Sequence, residues 1–222
     1  MNREDEFKEQ AIKIFKHREQ ALAAICQSLF ENEHILTELD TKIGDGDHGI
    51  NMSRGAHAIE LEMSGWHHLE DRQFLLTLAQ SVLKNVGGAS GALYGTLLIE
   101  WSRSFAPECF HADEFRRGVL AVQKRGKSNL GDKTMLDVLI PFSTLWQQTK
   151  NKPLDKATLS HFKSELSQYC QKTKELRAQI GRAAYLGSRS IGHVDPGAYS
   201  SMLMINAALD VLMENMYEPQ SC

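Results

Sequence analysis

The sequence predicts one all-α domain, and three observations carry that prediction. Apolar residues recur at helical spacing along nearly the whole chain. Strand signals are poor: there are only seven valines, little period-two alternation and no Asn-Gly or Asp-Gly turn between alternating runs. The glycine-rich breaks all fall between helical segments, where a bundle can gather several of them at one end. A chain of 222 residues suffices for one well-buried domain, taken as 1–222, and is short for two. About eight helices packed as a bundle are expected.

The elements follow in order. Phe7, Ala11, Ile14 and Phe15, then Leu22, Ile25 and Leu29, mark a helical face over residues 4–30. "ENEH" turns the chain, and a short helix with Ile35, Leu36 and Leu39 follows until "TKIGDGDHG" interrupts it. A third helix is expected over 48–63, and "SGWHHLEDR" connects it to an amphipathic segment carrying Phe74, Leu75, Leu78 and Leu83. "NVGGASG" breaks that segment before a helix over 89–105. The next helix spans 113–124, and "RGKSNLGD" is a loop. Residues 133–148 predict an apolar helix kinked at Pro141. A long charged helix lies within 154–180, "GSRSIGHVDPG" is a loop, and 198–216 form the last helix.

Composition excludes several function classes. The 25 basic and 28 acidic residues leave a net charge of −3, without the basic excess of a nucleic-acid footprint. The charged start "MNREDEFKEQ" has no apolar core, so no signal peptide is expected, and no window approaches the roughly 18 apolar residues of a membrane span. The four cysteines, Cys26, Cys109, Cys170 and Cys222, form no CxxC pair and suit free thiols in a reducing cytoplasm. There is no GxSxG elbow, no HExxH and no Cys–His pairing, so nucleophilic hydrolysis has no support.

Chemistry concentrates in "TKIGDGDHGINMSRGA". Asp40, Asp45 and Asp47 crowd like charges that repel unless a cation neutralises them. Hard oxygen ligands without cysteine point to Mg²⁺, Mn²⁺ or Ca²⁺. An EF-hand starting at Asp45 fails, because Gly49, Ile50 and Ala56 would stand where an oxygen ligand, Gly and Glu are needed. The plainer alternative is that Asp47 caps the third helix while Asp45 sits in a solvated turn. His48, Gly49, Ile50 and Asn51 would form that helix's first turn, whose free N–H groups favour an anion.

Three further stretches are candidates. In "NVGGASGALYG", Gly87, Gly88 and Gly91 allow close backbone approach, and Ser90 can cap the next helix or bind an oxyanion; a tight helix–helix turn explains the glycines equally. "RGKSNLGDKT" contains the tail of a P-loop, but Ala121 stands where the first Gly is required and a helix precedes it, so that motif is rejected. A loop with Gly126, Gly131, Lys133 and Thr134 can still touch a nucleotide, or be a plain connection. In "GRAAYLGSRSIGHVDPGAYSS", Asp195 followed by Pro196 and Gly197 is a strong helix start. That start does not explain why Arg182, Arg189 and His193 share one loop; an anion site does.

These four stretches, in this order, resemble the L subunits of bacterial dihydroxyacetone kinases, the nucleotide-binding half of those enzymes. "LDTKIGDGDHGINMSRG", "VGGASGALYGTLL", "RGKSNLGDKTMLDV" and "GRAAYLGSRSIGHVDPGA" carry the resemblance and span 39–198. It implies an all-α antiparallel barrel of eight helices with ADP or ATP at one end. It implies that Asp40, Asp45 and Asp47 hold two Mg²⁺ ions. It also implies that His48, Gly49, Ile50, Asn51, Ala89, Ser90, Gly131, Thr134, Met135, Arg182, Asp195, Pro196 and Gly197 surround the nucleotide. No residue matches a general base.

A subunit of this type has two implied partners, a K subunit that binds dihydroxyacetone and an M subunit that carries a phosphohistidine. ADP is then a retained cofactor, rephosphorylated by M and discharged to the sugar on K. Two other roles remain open at this stage: an ATP-dependent kinase for dihydroxyacetone or a related ketose such as erythrulose, and a nucleotide-loaded partner of a transcriptional regulator. No nucleic acid or membrane partner is expected.

Overall fold

Nine α-helices and two 3₁₀ segments make up the regular structure of residues 17–105, 112–149 and 154–216, which a computed structural model describes, and no strand occurs among them. The helices are α1 (Arg18–Glu31), α2 (Glu33–Ile43), α3 (His48–Met63), α4 (Asp71–Asn85), α5 (Gly88–Ser104), α6 (Ala112–Gly126), α7 (Leu136–Thr149), α8 (Lys156–Lys172) and α9 (Pro196–Asn215). The 3₁₀ segments are Thr173–Glu175 and Arg182–Ser190.

Each helix except α2 buries its apolar face against two neighbours, and together these eight close a ring. The order is α1, α3, α4, α5, α6, α7, α8, α9, and α9 packs back on α1. The expected eight-helix barrel is therefore present, with α2 as an additional helix packed on α3 and touching α9 and the Arg182–Ser190 segment. Apolar side chains such as Leu22, Met52, Phe74, Leu97 and Leu209 line a central cavity of about 280 Å³. On one side the ring is filled by aromatics: Phe115 and Phe162 each meet Phe142 edge to face, with centroids 5.3 and 5.4 Å away. No helix among the described residues is long and apolar enough to cross a membrane.

Several boundaries differ from the sequence expectation for identifiable reasons. Residues 4–16 of the first expected helix lie outside the described residues, and α1 starts at Arg18. The second helix runs on through Thr41 to Ile43, so the first three residues of the stretch expected to interrupt it are helical and Asp40 lies in its last two turns. The helix expected from 133 begins at Leu136, because Lys133 takes a left-handed φ of 62°. Part of the expected loop at 187–197 is wound into 3₁₀ turns that start at Arg182.

Gly49 shows how tightly α2 and α3 cross. A Cβ placed there would lie 2.2 Å from the Glu33 carbonyl oxygen and 2.3 Å from Thr37 Oγ1. Its identity is thus required by packing, whatever else it touches. Gly49→Ala is expected to destabilise the protein by about 1–3 kcal/mol through forced separation of the two helices, read as a lower urea midpoint with unchanged slope.

Candidate functional site

The turn between α2 and α3 is organised by Asp40. This buried carboxylate accepts the backbone N–H of Asp47 at 2.9 Å and of His48 at 3.1 Å through Oδ2. It therefore caps α3 from the last turn of α2. Asp47 holds the N-cap position but makes no side-chain cap bond, so the plain capping reading of Asp47 fails. Gly44 makes room for this arrangement, since a Cβ there would fall 2.1 Å from Asp40 Oδ1.

Oxygens of Asp40, Asp45 and Asp47 lie within 4.8 Å of one another. Asp45 is also ion-paired with Arg182, which brings the Arg182–Ser190 segment onto the turn. Three carboxylates with no nitrogen or sulfur donor among them form the ligand set of a hard divalent cation, so the residues present fit Mg²⁺.

His48 joins three helices. Its Nδ1 lies 3.2 Å from Ser90 Oγ on α5, and its Nε2 lies 3.0 Å from Ser200 Oγ on α9. Burial pushes the imidazole below the ordinary histidine pKa, against the pull of Asp40 and Asp47. Ser90 sits within the first turn of α5, whose cap position is Gly87, so its hydroxyl serves His48 rather than capping the helix. Ala89 is exposed beside it. Asn51 is buried and accepts from Arg54 Nη2 at 2.8 Å. Ile50 is exposed.

The loop before α7 is held by a reciprocal cap. Thr134 Oγ1 accepts the N–H of Leu136 at 3.2 Å, and Asp137 Oδ2 accepts the N–H of Thr134 at 2.7 Å. The other oxygen of Asp137 accepts the N–H of Gly131 at 2.6 Å, where φ is 94°. Burial raises the Asp137 pKa and these backbone donors oppose it. Met135 is buried near Gly197.

Lys133 does not face a ligand. It is 1% exposed, and its Nζ donates to the carbonyls of Thr173 and His193, each at 2.5 Å. Burial lowers its pKa, while Asp195 and Asp137 pull it upward.

Asp195 caps α9 as its sequence predicts: Oδ2 accepts the N–H of Ala198 at 2.7 Å, and Pro196 takes the first helical position. Its own N–H donates to Thr173 Oγ1 at 3.0 Å. Burial pushes its carboxyl up to about 7. Of the three basic residues expected to cluster, Arg182 reaches Asp45, His193 contributes its carbonyl to Lys133, and Arg189 is exposed.

All four sequence stretches thus meet at one end of the ring. Sequence reasoning missed Asp137, Lys133 as an interior group, Tyr94 and Ser200. Only Asp137 carried a local signal, the Thr-x-x-Asp spacing of a capping box. The site combines a carboxylate cluster with the N-terminal ends of α3, α5, α7 and α9, a setting for a cation bridging to an anion.

Comparison with known proteins bears on the family and the fold. A family model described as the DAK2 domain matches residues 42–210. The chain is 41% identical over 184 residues to the ADP-binding subunit DhaL of PEP-dependent dihydroxyacetone kinase 1 from Listeria innocua, covering 81% of this chain and 87% of that one. It is 37% identical to the ADP-binding subunit DhaL of the PTS-dependent dihydroxyacetone kinase from Lactococcus lactis, covering 84% and 92%. The fold matches the crystal structure of the C. freundii dihydroxyacetone kinase in complex with AMP-PNP and Mg²⁺, with a TM-score of 0.67 at 21% identity. That match covers 86% of this chain and only 33% of the solved one.

Two outcomes test the loop network. Lys133→Met strands two buried carbonyls and is expected to lower unfolding free energy by about 2 kcal/mol or more, measured by urea titration. The Asp195 carboxyl titrates at 3.8 in the unfolded chain and at about 7 when folded, so its stabilising contribution is complete below pH 3.8 and lost as pH rises through about 7. Asp195→Asn keeps a capping acceptor but removes this titration. The stability of the unsubstituted protein minus that of the variant should therefore fall across that window in nucleotide-free denaturation series.

Proposed function

This chain belongs to the DAK2 domain family, and we propose that it is the ADP-binding subunit of a phosphoenolpyruvate-dependent dihydroxyacetone kinase. In this reading, ADP stays bound, accepts a phosphoryl group from a phosphohistidine on an M subunit, and passes it to dihydroxyacetone on a K subunit. The observation that carries the proposal is the Asp40, Asp45 and Asp47 cluster set against the start of α3. The names of the two DhaL relatives, alike over most of both chains, support the substrate and the phosphoryl source.

Asp40, Asp45 and Asp47 would hold two Mg²⁺ ions. Bound there, Mg²⁺ offsets phosphate charge and stabilises the charge that develops during transfer. The chain's own part is positioning. The starts of α3 and α5 offer backbone N–H groups and favourable dipoles to phosphate oxygens. Ser90 adds a hydroxyl whose place is set by His48. Gly131, Thr134 and Met135 form one wall and Asp195, Pro196 and Gly197 another, joined where Gly197 approaches Met135. Arg182, exposed at the rim, keeps a guanidinium beside Asp45. This reading assigns no base for a sugar hydroxyl among these residues and leaves the deprotonation of dihydroxyacetone to the K subunit that binds it.

Native mass spectrometry after purification in Mg²⁺ is expected to find the chain carrying ADP and Mg²⁺; a bare chain mass would overturn the reading. With labelled phospho-M and a K subunit, label should reach dihydroxyacetone only when this chain is present. Efficient turnover on free ATP without M would sink the relay. Asp45→Ala should lose retained nucleotide and the thermal stabilisation it confers, about 2.7 kcal/mol at a hundredfold excess over Kd.

A further inference from the structure

Below Ser90 and His48 runs a set of hydroxyls for which the nucleotide reading has no use. Tyr94 is buried on α5, one helical turn beyond Ser90 and on the same face. Its hydroxyl lies 3.0 Å from Ser200 Oγ and 2.9 Å from Ser201 Oγ, both on α9. Ser200 Oγ lies 3.0 Å from His48 Nε2 on α3, and His48 Nδ1 lies 3.2 Å from Ser90 Oγ, back on α5. The chain Tyr94–Ser200–His48–Ser90 therefore leaves α5, crosses α9 and α3, and returns to α5.

Each link restrains one torsion, whichever way the protons run. The Tyr94 hydroxyl helps hold the Ser200 rotamer, Ser200 together with the Pro196 backbone holds the His48 ring, and the ring holds the Ser90 hydroxyl. Ser200 Oγ also donates to the Gly197 carbonyl at 3.1 Å in this same rotamer, so Tyr94 shares with that carbonyl the holding of Ser200 against His48. Burial keeps the phenol protonated, its pKa raised to about 12.

We propose that Tyr94 is a positioning residue of the nucleotide site, acting through Ser200 and His48 to fix the Ser90 hydroxyl at the phosphate end. The proposal rests on the nucleotide reading above for its ligand and on this hydrogen-bond chain for its mechanism.

Calorimetric binding of ADP with Mg²⁺ to Tyr94→Phe, Ser90→Ala and the double variant tests it. Tyr94→Phe keeps the ring in the core and is expected to weaken binding by about five- to tenfold, the worth of one hydrogen bond. Because Tyr94 acts through Ser90, the double variant should bind no more weakly than Ser90→Ala alone. Unchanged affinity in Tyr94→Phe, or losses that multiply in the double variant, would overturn the proposal. A second measurement needs no nucleotide: in ¹⁵N-histidine spectra, the His48 ring signals, identified by their loss in His48→Gln, should move in Tyr94→Phe. Unmoved signals would overturn the positioning chain. If the unsubstituted protein binds no ADP while the signals do move, the nucleotide reading fails and the chain stands.

Discussion

The alternation of helices around a closed ring is the constraint from which the rest follows. Burying an apolar face on every helix drives eight of them into the ring α1, α3 to α9, joined in chain order. Neighbours in such a ring run in opposite directions, so every second helix starts at the same end. Those helices are α3, α5, α7 and α9, and the four glycine-rich stretches are the segments leading into them. Contacts between their starts, His48 with Ser90 and Ser200 and Gly197 with Met135, bear this out. Every helix start leaves N–H groups unmatched and a partial positive charge. The topology alone thus gathers four helix starts that favour negative charge around one point, and at α3, α7 and α9 part of that demand is met by Asp40, Asp137 and Asp195.

Such an end consists of loops, and loops carry backbone groups that must find partners. A few buried charged or polar side chains answer this, each serving two backbone groups. Asp40 takes the N–H groups of Asp47 and His48, Asp137 those of Gly131 and Thr134, and Lys133 the carbonyls of Thr173 and His193. Hydrogen bonds to charged groups contribute about 1.5–3 kcal/mol each, and a buried charge is tolerated only when so matched. Lys133 ties the loop before α7 to the end of α8 and to the segment before α9. Thr173 strengthens the same knot by accepting from Asp195. The residues that hold the loops together are therefore also those that set the charge of the site.

What the sequence made legible was local. Helical periodicity placed the helices in order, Asp195 with Pro196 announced the start of α9, and the repulsion among Asp40, Asp45 and Asp47 singled out the cluster. What it hid was tertiary. A lysine is normally a surface residue, so nothing local marks Lys133 as interior. Asp40 did not read as a cap because its capping of α3 depends on how α2 lies against that helix. Gly49 read as a backbone contact for a ligand, whereas the Glu33 carbonyl already leaves no space for a side chain. Ser200 lies 152 residues from His48 and 106 from Tyr94, beyond any spacing rule. The Thr134 and Asp137 capping box was readable, but a helix expected to begin at 133 masked it.

The contacts around the site also differ in how easily they open. Asp40, His48 and Lys133 are buried and doubly bonded, so displacing any one breaks two hydrogen bonds at once. The Arg182–Asp45 pair is different. The arginine side chain is 68% exposed, and an exposed ion pair contributes about 0–1 kcal/mol. The ion pair that links Arg182 to the α2–α3 turn thus costs little to break, while the wall behind it is fixed. If the chain keeps its nucleotide through successive transfers, as proposed, it has need of both properties. The inner wall must not relax when the phosphate chain changes length, and the rim must give way to two different partners in turn. On the proposed reading, the division between buried, doubly satisfied charges and one exposed ion pair is how a single helical ring meets both demands.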